Sequence, residues 1–112
     1  MFVNMTPHPV TIRRPDGSEF TIAPSGVVAR VDSSEEVLPA LEEIPVIRRE
    51  WGDIQFGGAI EPDKIYIVSS LVLSALQNGN PLAHFMVAPD TGETAIRDEK
   101  GQIRAVTRLV MA

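Results

Sequence analysis

KIYIVSSLVLSALQNG, residues 64–79, is the one stretch where a strand signal runs straight into a helix signal. Ile65, Tyr66, Ile67 and Val68 are apolar at both parities, a pattern a strand tolerates only when both sheet faces are covered. A central strand is therefore expected here. Ser69 or Ser70 can accept a hydrogen bond from a free N–H of the following turn, which switches the chain from period two to helix. Leu71, Val72, Ala75 and Leu76 fall at helical spacing and predict one apolar stripe on a helix over residues 70–78. Asn78-Gly79 suits a left-handed helix end, and Pro81 blocks continuation. Two serines at a helix start also leave open a second reading, an anion-binding site built on Ser69 and Ser70.

The chain around this element has 112 residues, enough for one domain with a real core. It has no cysteine, which removes disulfides, thiolate metal sites and a cysteine nucleophile together. No basic-then-apolar leader precedes Met5, and no apolar run approaches the roughly 20 residues that span a bilayer. A soluble cytoplasmic protein without membrane contact is the expectation. The net charge is −5 and no block of Lys and Arg stands out, so nucleic acid is not an expected partner. Eight of the ten basic residues are Arg, however, and the planar guanidinium suits carboxylate and phosphate.

Taken in order, residues 2–4 can open an edge strand, and Thr6-Pro7-His8-Pro9 is held extended or turned by its two prolines. Residues 10–22 read as a β-hairpin with its tip at Asp16-Gly17. Pro24-Ser25-Gly26 is a second turn, and a third strand over residues 27–32 sets Arg30 beside apolar neighbours, either in solvent on an edge or aimed into a pocket. Residues 33–43 are acidic and interrupted by Pro39. At best a short turn of helix is expected there, and the segment otherwise reads as a mobile loop. Residues 44–51 form a strand ended by Gly52. After the helix, strands over 82–88, 93–97 and 102–110 make a meander, the last with Arg104, Val106 and Arg108 on one face and Ile103, Ala105, Thr107 and Leu109 on the other.

No catalytic set assembles. His8 and His84 show no metal-ligand spacing, and no metal or other cofactor is expected. Ser70 stands where a nucleophile elbow would, but Val68, Leu71 and Val72 replace its small residues. Glu35-Glu36 and Glu42-Glu43 lie in the segment expected as a mobile acidic loop, which offers no setting for general acid work, and Gly57-Gly58 lacks the strand and Lys of a phosphate loop. The expectation is a binding protein rather than an enzyme. Arg30, Arg97, Arg104 and Arg108 are the candidate contacts for an anionic ligand, Tyr66 and Phe85 the candidate stacking rings, and Pro7, His8 and Pro9 a rigid contact tip.

Four fragments, FVNMTPHPVTI, APSGVVARV, IYIVSSLVLSAL and APDTG with AIRDEKGQIRAVTRLV, resemble a group of small proteins of bacteria, phages and prophages that open with an Asn-x-Thr-Pro-His motif. The likeness covers most of the chain except residues 33–43. Size and phage association are also similar to the first class of Thoeris anti-defence proteins, which sequester a cyclic ADP-ribose signal without cutting it and assemble as oligomers. None of that class's binding residues is carried over to a position here.

The expected architecture is one α+β domain over residues 1–112, about six to eight short, mostly antiparallel strands in hairpins and a meander with one helix packed on the sheet. The expected function is sequestration of a small anionic nucleotide by a phage-type protein. The alternative is a protein-interaction module that acts on a host complex through Thr6–Pro9 and residues 33–43. Self-association is expected through the 102–110 edge, with any ligand site beside the interface.

Overall fold

The structure is a computed structural model that describes residues 2–76 and 80–111. It is an α+β fold dominated by strands, with a single short α-helix. The core sheet has four strands in the order β1 (Phe2–Asn4), β6 (Ile65–Ile67), β7 (Met86–Pro89) and β10 (Leu109–Met111). β6 lies inside this sheet, and Tyr66, Ile67 and Val68 are buried, as an apolar run at both parities requires. β1–β6 and β6–β7 are parallel and β7–β10 is antiparallel, so the mostly antiparallel pairing expected holds for the hairpins and the β10 edge while the sheet centre is parallel.

A parallel pair needs a crossover. Between β6 and β7 lie α1 (Ser70–Ala75) and a 3-10 helix (Pro81–Phe85). Ser69 is the N-cap of α1, and its hydroxyl accepts from the Val72 N–H at 3.2 Å. The buried side is Val72, Leu73 and Leu76, whereas Leu71 is exposed, so the apolar stripe is rotated from the expected one. The expected helix end at Asn78-Gly79 lies outside the described residues. Residues 82–85 are not strand as expected. Asn80 caps the 3-10 turn by accepting from the Leu82 N–H, and Pro81 presets its first φ.

Two small hairpins flank the sheet. β2 (Val10–Arg13) pairs with β3 (Glu19–Ile22) around the expected Asp16-Gly17 tip, where Gly17 has φ +88°. β8 (Ile96–Arg97) pairs with β9 (Ile103–Ala105). The expected single strand over 102–110 is in fact divided: β9 belongs to this hairpin and β10 to the edge of the core sheet.

The largest departure from expectation is residues 30–55. β4 (Arg30–Leu41) and β5 (Ile44–Gln55) form a two-stranded hairpin of twelve residues a side, so residues 33–43 are neither a helical turn nor an irregular loop. Its base is anchored, because Val31 and Ile54 pack on the core cluster that includes Val72 and Met86. Its distal part stands clear of the body, with Val37 83% exposed. The radius of gyration is 16.5 Å, against about 13 Å for a compact chain of this length. Gly57, where the chain returns from the arm, has φ +73°, and a Cβ there would sit 2.7 Å from Val27 Cγ1.

Candidate functional site

The Asn-x-Thr-Pro-His opening is built around Asn4, the one buried polar side chain among the described residues. Asn4 Nδ2 donates to the carbonyls of His8 at 2.8 Å and Ile22 at 3.0 Å. Its Oδ1 accepts from the Thr6 N–H at 2.9 Å and the Thr6 hydroxyl at 2.6 Å. Both donors and both acceptor positions of the amide are thus used, which fixes its orientation. The Asn4 carbonyl accepts from Ser25 N–H and Oγ, so the same residue ties down the second turn. Thr6–Pro9 is consequently a clamped loop that leaves Pro7, His8 and Pro9 exposed.

That loop lies between two depressions. Pro7 shares a cleft of about 270 Å³ with Arg30, Val31, Ser69 and Leu71, which joins the loop to the base of the arm. His8 and Pro9 line a second groove of about 370 Å³ with Val10, Pro89, Ile103 and Arg104.

The arm presents two different faces. Between its two bulges the pairs Ser33–Trp51, Glu35–Arg49 and Val37–Ile47 stack on one face, and Ser34–Glu50, Glu36–Arg48 and Leu38–Val46 on the other. Leu38 and Val46 are half-buried, while Val37, Ile47 and Trp51 are exposed with the Glu35–Arg49 ion pair (3.1 Å) between them. Gly52-Asp53 opposes Asp32 in a bulge at the base, and Pro39-Ala40 opposes Pro45 in a bulge near the tip. Each proline lacks an N–H, so the distal edges are poor templates for an added strand and the faces are the usable surface. The tip is Glu42-Glu43, with φ +47° and +68°. Residues 30–55 hold seven carboxylates against three arginines, a formal −4 of the chain's −5.

The expected ligand residues are divided among separate places, with Arg30 near Ser69 and Arg97 near Arg104. Arg30 and Ser69 share the cleft beside Pro7, but Ser69 is spent as a cap and Ser70 is an exposed first helical residue. Arg97 and Arg104 border an open depression that also holds Asp98 and Glu99. Arg97 donates to the carbonyls of Gly101 and Thr91, and so braces the β8–β9 turn. Arg104 lies 3.6 Å from Glu19, and Arg108 pairs with Asp90. Arg13 bonds the same Glu19 and holds its carboxyl below the ordinary range. The Tyr66 ring is buried in the core with its hydroxyl accepting from the Glu61 N–H, and Phe85, partly buried, packs against the same core. Among the described residues no group of three or more metal-ligating side chains comes together. No helix among the described residues is long and apolar enough to cross a membrane.

Comparison of the chain with protein-family models, curated proteins and solved structures returns no match. The surface therefore has to be read from its own residues. Val37 and Leu41 fall in the 33–43 segment expected as a contact surface, whereas Ile44, Ile47 and Trp51 were not among the expected contacts, although the alternation over 44–51 and the Glu35-Glu36 and Arg48-Arg49 pairs were visible signals.

Proposed function

We propose that the protein is a non-catalytic interaction module that engages another protein through the outer face of the β4–β5 arm, with the clamped Thr6–Pro9 loop at its base. The reading follows the phage-type resemblance in taking a host complex as the target. The observation that carries it is the exposure of Val37, Ile47 and Trp51 on one face of a hairpin projecting from the core. A two-stranded hairpin is marginal alone in water, and a Trp with aliphatic neighbours and a central Arg is the composition of a binding hot spot. An anionic-ligand site has less support, since only Arg97 and Arg104 of the candidate arginines share a depression, which also holds Asp98 and Glu99, while Arg30 lines another cleft and Arg108 pairs with Asp90.

Capture from host lysate on immobilised protein tests this, with Val37→Ser, Ile47→Ser and Trp51→Ser combined in one variant. A stoichiometric partner retained by the parent chain and lost by the variant is expected. Retention by both would remove the arm face from the reading. A melting-temperature screen with cyclic ADP-ribose-like nucleotides separates the sequestration reading, because a ligand that binds only the folded state raises the midpoint. A saturable rise there, with no protein captured, would overturn the interaction module.

A further inference from the structure

The arm ends in Leu41-Glu42-Glu43-Ile44. Leu41 and Ile44 pair across the turn and are 66% and 63% exposed, an unusual investment of large aliphatic surface at a tip two residues wide. Among the described residues Glu42 and Glu43 join no ion pair, and the nearest arm arginines, Arg48 and Arg49, pair lower down with Glu36 and Glu35. The tip thus offers two aliphatic side chains flanking two unpaired carboxylates.

The body carries the matching surface. The groove of about 370 Å³ has Pro9, Val10, Pro89 and Ile103 in its walls and a cation, Arg104, at its side, next to His8. Ile103 is itself exposed. Arg104 has one ion-pair partner, Glu19 at 3.6 Å, and that carboxylate already holds Arg13 at 2.5 Å, so two guanidinium groups share a single anion. The groove is apolar with cationic charge to spare, and the tip is apolar with anionic charge to spare. Arms side by side would instead bring together two segments of formal charge −4, and Pro39 and Pro45 withhold their N–H groups from edge pairing.

We propose that the arm tip of one copy seats in the Pro9–Ile103 groove of a second copy, with Leu41 and Ile44 on its apolar walls and Glu42 or Glu43 against Arg104. A reciprocal exchange closes the assembly as a two-fold dimer. The contact leaves the Val37–Trp51 face of the interaction reading free and shares only His8 and Pro9 with the loop at its base.

Sedimentation equilibrium of the full chain tests it. The expected result is a two-chain mass at about 50 µM, a dissociation constant raised at least about tenfold by Leu41→Ser with Ile44→Ser or by Arg104→Glu, and weakening with salt. Arg104→Glu combined with Glu42→Arg and Glu43→Arg should restore the dimer, a recovery that misfolding would not give. The chain has no cysteine, so Glu43→Cys mixed with Thr91→Cys should yield a disulfide between copies, while Glu43→Cys mixed with Asp16→Cys should not. A monomer at about 200 µM would overturn the proposal, as would a dimer indifferent to the tip substitutions or equal cross-linking at Asp16.

Discussion

Asn4 Nδ2 donates to the His8 carbonyl at 2.8 Å, closing a loop that contains Pro7 and two further hydrogen bonds from Thr6. The Asn and Thr of the opening motif are therefore the clamp, and the exposed Pro-His-Pro is what the clamp presents. Asn4→Ala removes two donors and two acceptors at a buried site and leaves the Ile22 and His8 carbonyls without that partner. A loss of about 2–4 kcal/mol in urea-unfolding free energy is expected. Asn4→Asp should do no better near neutral pH, because it keeps the size but replaces the two donors with a buried charge.

The core sheet makes a second, steeper test. Ile67 has no exposed surface and lies on the strand between two parallel neighbours. Ile67→Val should cost about 1 kcal/mol and Ile67→Ala about 3–4 kcal/mol, since the second change leaves a cavity that the flanking strands cannot close. Equal costs would mean that the site is loosely packed.

At the arm tip Glu42 and Glu43 both hold positive φ, the conformation of a two-residue type I′ turn, for which Asn-Gly is the favoured pair. Glu42→Asn with Glu43→Gly should strengthen arm closure by about 1–2 kcal/mol. The readout is slower hydrogen exchange at arm amides with little change elsewhere, because the arm opens locally.

Acid should weaken the fold through carboxylates held low in the folded state, among them the two that bond arginines. Arg108 bonds Asp90, with help from the Gly92 N–H, and Arg13 bonds Glu19, and each contact holds its carboxyl below the ordinary value of 3.8 or 4.5. A carboxyl lowered in the folded state contributes stability that is fully present above its unfolded value and is lost as pH falls through the folded one. Urea midpoints should accordingly be flat from about pH 7 to about pH 5 and then fall, with the fall reduced in Arg108→Ala and Arg13→Ala. Both pairs are solvent-exposed, so salt should mute the effect.

The parts of the fold that could be read from sequence are those decided by neighbours in the chain. Pro15-Asp16-Gly17 sets its own turn, Ser69 caps the turn that follows it, and the run Tyr66 to Val68 declares burial on both faces. The arm was not readable because its ion-paired rungs, Glu35–Arg49 and Glu36–Arg48, join residues 14 and 12 apart. Locally the same residues look like an acidic loop broken by Pro39, which in fact occupies a bulge. Leu82 to Phe85 reads as strand by composition, yet Asn80-Pro81 in front of it is a helix-start signal that overrides the aliphatic pattern. The division of 102–110 between two sheets has no local cause beyond Thr107, whose hydroxyl donates to the Thr94 carbonyl at the break. The candidate arginines show the same limit, since their carboxylate and carbonyl partners lie on other strands and turns.

Trp51 is the chain's one tryptophan and stands on the arm face with 41% of its surface exposed. Its fluorescence therefore reports directly on whether that face is covered. Adding a captured partner protein to the dilute chain should shift Trp51 emission to shorter wavelength and reduce acrylamide quenching by about half or more, as expected when an aromatic anchor is desolvated at an interface. A partner that binds stoichiometrically while emission and quenching stay as in the free chain would contradict the claim that the arm face is the contact surface.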